Sequence, residues 1–126
     1  MGRSGRWLPA VLLWVSMGRI RSAEVIAVGT ELLLGQIINS NAAWLAQRLS
    51  DLGISSYYQT VVGDNRQRLL GCLETAAGRS DLILITGGLG PTQDDLTMSV
   101  AAEFAGRQLC LHEPSRKAIA DYFTRL

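Results

Sequence analysis

Apolar residues along this chain gather into short runs that are each followed by glycine. Three such runs, rich in valine, isoleucine, leucine or tyrosine, cover residues 24–28, 57–62 and 81–86. Continuous apolar runs of this length are typical of strands that are covered on both faces. They recur roughly every 28 residues, which is close to the size of one βα unit.

Between these runs, apolar residues recur at helical spacing. The spacing predicts helices over 42–52, 69–77 and 92–105, and a fourth helix that begins near Pro114. The fourth helix has an apolar stripe of Ile119, Tyr122, Phe123 and Leu126, and residues 108–111 are a candidate short strand. Candidate N-caps are Asn39, Ser40 or Asn41 for the first helix, Asp64 or Asn65 for the second, and Thr92 with Asp95 at capping-box spacing for the third.

The order of these elements, β-α-β-α-β-α-(β)-α, predicts the α/β class. Right-handed crossovers then give an open, mostly parallel sheet with helices on both faces. In such sheets, ligands bind at the carboxyl ends of the strands. We therefore expect the chemistry in the loops that follow the three strands.

The first 21 residues form a separate segment from the predicted domain over residues 22–126. They carry four arginines and no acid, with an apolar run over residues 7–17 that is too short to span a bilayer as a helix. The segment has the basic start and apolar run of a signal peptide, but a poor cleavage site. Alternatively, translation begins at Met17 and the residues before it are not part of the protein. We favour the second interpretation and predict the fold from residue 22 onward.

Composition narrows the classes of function. The 126 residues suit one domain, and 48% hydrophobic with 18% charged residues exclude intrinsic disorder. A net charge of +1 argues against nucleic-acid binding driven by bulk charge. With Cys72 and Cys110 as the two cysteines and His112 as the one histidine, any metal would be held mostly by carboxylates and phosphates. We expect a cytoplasmic protein with a small-molecule ligand and no membrane or nucleic-acid partner.

The loop after the third strand is the most informative. It runs from Thr86 to Asp95 and contains Gly87, Gly88 and Gly90, followed by Pro91 and Thr92. Glycines let backbone N–H groups approach an anion, and the N-terminus of the following helix adds partial positive charge. Asp94 and Asp95 could hold a divalent cation or orient water. The alternative is a plain turn before a capped helix, and the loop matches neither the dinucleotide-binding fingerprint nor a P-loop.

The other two loops add acids and amides. Glu31 follows the first strand directly and either points at a ligand or is a solvated loop acid. Asn39 and Asn41 are helix caps or ligand contacts. Asp64, after the second strand, is a helix cap or a third carboxylate that faces Asp94 and Asp95.

Four stretches together resemble a known family. They are residues 23–35, 39–41, 59–65 and 86–97, and they are similar to the N-terminal domain of the CinA family, the bacterial competence/damage-inducible proteins. That domain belongs to the wider molybdenum-cofactor-biosynthesis (MoaB/Mog-like, molybdopterin-binding) fold. The resemblance implies a three-layer α/β/α domain with a mostly parallel sheet, of which the C-terminal part is missing from this chain.

The resemblance also implies a function and partners. It implies hydrolysis of ADP-ribose to AMP and ribose 5-phosphate with a divalent metal cation and potassium, and a homo-oligomer. Mog-like relatives instead bind molybdopterin and adenylylate it. The alternatives are therefore a molybdopterin-adenylylating relative or a non-catalytic pterin- or nucleotide-binding module.

Site residues follow from the same resemblance. Asp64 and Asp95 are implied as catalytic residues that, with Asp94, would hold a metal against the pyrophosphate. Glu31 is a candidate base or a residue that supports a metal ligand. The implied phosphate or ligand contacts are Gly29, Thr30, Thr86, Gly87, Gly88, Gly90, Pro91 and Thr92.

Overall fold

The computed structural model describes residues 10–14, 18–90, 95–107 and 113–124. These residues contain one four-stranded sheet and five helices. The strands are β1 (Ala10–Trp14), β2 (Ala23–Val28), β3 (Gln59–Val62) and β4 (Leu82–Thr86). The helices are α1 (Thr30–Leu33), α2 (Ser40–Asp51), α3 (Arg66–Ala77), α4 (Thr97–Ala105) and α5 (Glu113–Thr124).

The sheet is mostly parallel, as predicted. Its strand order is β1-β4-β2-β3, and β2 pairs in parallel with both β3 and β4. β1 lies at the other edge and pairs antiparallel with β4. The three parallel strands therefore end at one edge of the sheet, where their loops meet.

Helices cover both faces of the sheet, which confirms the three-layer α/β/α architecture. Alternate residues of each strand point to opposite faces. On one face, the apolar side of α2 packs on β2 and β4 through Ala42, Leu45, Leu49, Ala23, Val25, Leu82 and Leu84. On the other face, α3 and α4 pack through Leu69, Leu73, Ala76, Val100, Ala101, Ile26, Val28, Val62, Ile83 and Ile85. Because β2 and β4 are buried on both faces, their sequences are largely apolar instead of alternating.

The structure differs from the predicted elements in four places. β1 comes from the segment that the prediction excluded from the fold, and α1 is a four-residue helix where a loop was predicted. α4 begins at Thr97, five residues after the predicted start, and its N-cap residue Leu96 makes no side-chain capping bond, so the predicted capping box does not begin this helix. On α5, Ile119 and Tyr122 are exposed instead of forming a buried stripe.

Some predictions fall on residues outside the described ones. The candidate strand at 108–111 and the side chains of Phe123 and Leu126 belong to this group. Within the described ranges, no helix is both long enough and apolar enough to cross a membrane.

Candidate functional site

The loops after β2 and β3 are joined by a reciprocal contact between Thr30 and Asp64. Asp64 Oδ2 accepts from the Thr30 hydroxyl at 3.2 Å and from the Thr30 backbone N–H at 3.4 Å. The Asp64 backbone N–H in turn donates to Thr30 Oγ1 at 3.2 Å. Asp64 therefore connects the two loops and does not cap α3, a role that Asn65 fills by accepting from the Arg68 N–H at 2.9 Å.

The ends of α2 and β4 are joined by Asn41 and Thr86. The Asn41 amide Nδ2 donates to Thr86 Oγ1 at 3.2 Å, and Thr86 is buried at the last position of β4. Asn41 lies inside the first turn of α2, whereas the N-cap position is Asn39, whose side chain makes no capping bond. The structure thus places Asn41 as a contact to the site and not as a cap.

The Gly-rich turn after β4 passes close to a buried hydroxyl. Gly87 and Gly88 have φ values of +90° and +64°, a region that favours glycine. The Thr97 hydroxyl donates to the Gly87 carbonyl at 2.6 Å, and the Thr97 N–H donates to the Gly88 carbonyl at 3.1 Å. Thr97 is fully buried, so it holds the turn against the start of α4.

Two of the candidate acids lie against glycines of these loops. A Cβ on Gly29 would lie 2.5 Å from Glu31 Oε1, and a Cβ on Gly90 would lie 2.7 Å from Asp95 Oδ2. Glycine at these two positions therefore leaves the space that the carboxylates occupy. The remaining predicted residues of the loop after β4, Pro91, Thr92 and Asp94, lie outside the described residues.

A cavity of about 150 Å³ opens between the first loop and the end of β4. It lies at the carboxyl edge of the sheet, where the sequence predicts ligand binding. Its lining consists of Val28, Glu31, Leu32, Ile37, Ile38, Asn39, Ser40, Asn41, Thr86 and Gly87. The structure therefore brings Glu31, Thr86 and Gly87 together, while Thr30 and Asp64 meet in the neighbouring loop pair.

The described residues do not by themselves form a site for a metal ion. In the described part of the chain, no three His, Cys, Asp or Glu side chains group closely enough to hold one. The predicted metal set of Asp64, Asp94 and Asp95 includes a residue outside that part. Glu31, Asp64 and Asp95 therefore do not fit a metal site by themselves, although their carboxylates are of the type that hard cations prefer.

A second polar cluster lies on the α3 side of the sheet, near the start of β2. Glu24 is fully buried and accepts from Arg79 through both oxygens at 2.9 Å and from the Ser80 hydroxyl at 2.7 Å. The Arg79 guanidinium also stacks on the Tyr58 ring, 3.5 Å from its centroid. Burial and the charge of Glu24 raise the pKa of the Cys72 thiol, which is partly buried and packs against the core beneath α3 and α4.

Four contributors to the site were not predicted from the sequence. Thr97 was identified only as the end of a motif, and Ile37, Ile38 and Ser40 were not predicted to line a cavity. Local spacing gave no signal for the Thr97 contact, because side chains of this type usually bond to backbone within four residues and the Gly87 carbonyl lies ten residues away. Ile37, Ile38 and Ser40 carry no sequence signal for lining a cavity, whereas Asn39 was already a candidate ligand contact.

Known proteins resemble the chain along most of its length. The family model of a probable molybdopterin binding domain matches residues 24–125. A putative competence-damage inducible protein of Acetivibrio thermocellus is 55% identical over 105 residues, covering 83% of this chain and 25% of that protein. A CinA-like protein of Dictyoglomus turgidum is 57% identical over 102 residues, covering 81% of this chain and 25% of that protein. The chain thus spans about a quarter of the length of these curated relatives.

A solved structure agrees in fold. The CinA protein of Thermoplasma acidophilum, described as of unknown function, superposes with a TM-score of 0.75 at 33% identity, covering 83% of this chain and 62% of that one. Matching sequence and matching fold lead to one conclusion. The chain belongs to the molybdopterin-binding domain family and is a CinA-like member of it.

Proposed function

We propose that the carboxyl edge of β2, β3 and β4 binds the phosphate groups of a nucleotide or pterin ligand. We further propose that the domain hydrolyses the pyrophosphate bond of ADP-ribose. The observation that carries the proposal is the convergence of a Gly-rich turn, two hydroxyl residues and acidic side chains around one edge of the sheet. Thr30 and Glu31 follow β2 and Thr86 ends β4, and the parallel pairing of these two strands brings the three residues to that edge.

The size of the cavity limits which part of a ligand it can take. Pockets for small molecules usually enclose about 300–1,000 Å³. A cavity of about 150 Å³ suits one group of such a ligand, and the rest must extend over the neighbouring loops. The Gly-rich turn borders the cavity at Gly87, so a phosphate there would lie beside backbone that no Cβ obstructs.

Hydrolysis requires a water molecule that attacks phosphorus while the bridging P–O bond breaks, giving AMP and ribose 5-phosphate. Glu31 lines the cavity and is our candidate for accepting the proton of that water. We assign Asp95, beside Gly90 of the turn, to orienting the water or the phosphate. A divalent cation and potassium stay proposed cofactors on the family resemblance alone, and we derive no step through them.

One observation favours the alternative of binding without hydrolysis. The Asp64 carboxylate accepts both the N–H and the hydroxyl of Thr30, which is the behaviour of a residue that orders loops. A pterin- or nucleotide-binding module, or a molybdopterin-adenylylating relative, would need these two loops held in place. It would not need the Asp64 carboxylate to act on the ligand.

Substitution of Asp95 by Asn separates the two functions. We expect Asp95→Asn to lower AMP formation from ADP-ribose about 100-fold, because the amide keeps the shape but loses the charge. We expect the rise of the melting temperature with ADP-ribose to persist, since ligand at 100 times its Kd stabilises by about 2.7 kcal/mol. The full chain is assayed with and without Mg²⁺ and K⁺.

Asp51→Asn is the matched control. Asp51 pairs with Arg48 at 2.9 Å on the surface, at the far end of α2, about 17 Å along the helix from Ser40. It should change neither hydrolysis nor the ligand-induced shift. A shift without AMP formation in the parent chain would favour the binding module, and neither shift nor product would refute both functions.

A further inference from the structure

The loop between α1 and α2 carries two exposed isoleucines at the mouth of the candidate cavity. Ile37 and Ile38 both line the cavity, yet 54% of Ile37 and 88% of Ile38 is exposed. The leucines that precede them, Leu33 and Leu34, are exposed as well. Single apolar side chains on a surface are ordinary, but several together beside a cavity mark a surface that another molecule covers. The covering molecule should therefore lie across residues 37 and 38, next to the group that fills the cavity.

Directly after these isoleucines comes an asparagine whose amide is unused. Asn39 occupies the N-cap position of α2 and lines the cavity, but its side chain makes no capping hydrogen bond. Within the part of the chain that the structure describes, no other hydrogen bond engages this side chain. At the same position of α3, Asn65 does cap its helix, by accepting from the Arg68 N–H. The Asn39 amide therefore keeps its N–H donors and its carbonyl oxygen for a ligand.

An apolar surface beside a free amide suits a flat nitrogen heterocycle. Purine and pterin rings have flat faces that pack on aliphatic side chains, and their edges carry donors and acceptors side by side. An asparagine amide pairs with such an edge through two hydrogen bonds, as it does with N6 and N7 of adenine. Among the described residues that line this cavity, Glu31 is the sole charged one, so residues 37–39 offer no charge to a phosphate. Residues 37–39 thus match the ring of a ligand and not its phosphates.

We infer that Ile37, Ile38 and Asn39 form a ring-binding subsite for a purine or pterin. In this subsite, the two isoleucines cover one face of the ring and the Asn39 amide bonds to its edge. The inference rests on the binding part of the proposed function, in which the phosphate end of the same ligand lies at Gly87 of the same cavity, and it is independent of hydrolysis. The ring is the part of the ligand that a cavity of about 150 Å³ is too small to enclose. A sugar phosphate without such a ring would leave Ile38 uncovered.

Matched serine variants of two exposed aliphatic residues test the subsite in the full chain. Ile38→Ser alters the subsite, whereas Leu52→Ser changes a residue that is 73% exposed at the far end of α2 and outside the cavity lining. Titration calorimetry gives the Kd of AMP, of biopterin and of ribose 5-phosphate, which is AMP without its base. We expect Ile38→Ser to raise the Kd of AMP or of biopterin about tenfold, because apolar contact with the ring face is lost. Ribose 5-phosphate should bind as it does to the parent, and Leu52→Ser should change none of the three Kd values.

Asn39→Ala tests the edge contact separately from the face contact. It should raise the Kd of the same ring ligand about five- to tenfold, the effect of losing one hydrogen bond, and leave ribose 5-phosphate binding unchanged. The ligand that responds, AMP or biopterin, identifies the ring that the subsite takes.

Three results would overturn the subsite. They are a parent chain that binds neither AMP nor biopterin, equal Kd values for the parent and both subsite variants, and an equal loss for all three ligands, which would mark a structural role. ADP-ribose hydrolysis is assayed in parallel. Ring binding that depends on Ile38 and Asn39 without hydrolysis would refute the hydrolytic function and support the subsite. Hydrolysis with Kd values that neither variant changes would support the function and refute the subsite.

Discussion

Gly88 is where the backbone of the Gly-rich turn comes close to a buried side chain. Its φ is +64°, and a Cβ there would lie 2.5 Å from Thr97 Oγ1, the hydroxyl that donates to Gly87. The left-handed conformation alone costs a non-glycine residue about 1–2 kcal/mol. We expect Gly88→Ala to lower the free energy of unfolding by more than this, because Thr97 must also move.

Gly35→Ala is the control for that prediction. Gly35 has a similar φ of +71°, but a Cβ added there would have nothing within 4 Å. Gly35→Ala should lose only the free energy that a left-handed conformation costs alanine. Its free energy of unfolding, measured in urea, should therefore exceed that of Gly88→Ala by at least about 1 kcal/mol. Equal losses would mean that the Thr97 contact contributes nothing to the rigidity of the turn.

At the same scale, the sequence indicated residue types more readily than partners. The glycines and acids of the loops were predicted as a site, and Asn65 was among the candidate caps. That Asp64 would bond to Thr30, or Asn41 to Thr86, depends on residues 34 and 45 positions away in sequence. Such pairs are set by the sheet, so local spacing carries no information about them.

Among the helices, α3 has a capping side chain and α2 does not. Asn65 Oδ1 accepts from the Arg68 N–H, and removal of such a cap costs about 1 kcal/mol. We expect Asn65→Ala to lower the free energy of unfolding by about that amount. Asn39→Ala, at the uncapped N-cap position of α2, should cost clearly less. A larger loss for Asn39→Ala in urea unfolding would contradict this assignment.

Periodicity predicted the existence of the helices better than their ends. α2 and α3 lie where the apolar spacing predicted them, because each buries three residues of its apolar stripe on the sheet, although Leu52 at the end of the α2 stripe is exposed. α4 begins late, since Thr97 is held by the Gly-rich turn at the first position of the helix. α1 has no buried residue, so the apolar pattern of the sequence could not predict it.

The stability of the whole domain should depend on pH through Glu24. Burial alone would raise the pKa of this carboxyl, but hydrogen bonds from Arg79 and Ser80 and the charge of Arg79 lower it below its ordinary value. A carboxyl with a lowered pKa in the folded state stabilises above its unfolded pKa of about 4.3, and this contribution is lost as the pH falls. We expect the parent chain to lose stability toward pH 3.

Replacement of Arg79 by Met should reverse the sign of that contribution. Glu24 stays buried beside Ser80 and near Cys72, but the hydrogen bonds and charge of Arg79 are gone, so its pKa rises. A raised pKa gives stability that is lost as the pH increases. The difference between the parent and Arg79→Met should therefore grow from pH 3 to pH 7, measured by urea unfolding.

Arg48→Met is a matched control for Arg79→Met. Arg48 also has a carboxylate partner, Asp51 at 2.9 Å, and an aromatic one, Trp44 at 5.4 Å, but this pair is exposed. Exposed pairs contribute about 0–1 kcal/mol, so its effect should be small and nearly independent of pH. A pH-independent loss in Arg79→Met would show that Glu24 does not titrate with the global transition.

By itself, the sequence determined the α/β class, the parallel strands, the helices that cover them and the loops that carry polar residues. It could do so because burial on two faces, helical periodicity and glycine at turns are local properties of the chain. Tertiary structure alone decided the strand order, the pairing of β1 with β4, the Thr30–Asp64 and Asn41–Thr86 contacts, and the burial of Glu24 beside Arg79. These arise where distant segments meet, because the partner of a hydrogen-bonding group or a strand edge is chosen by the packed sheet and not by its neighbours in sequence.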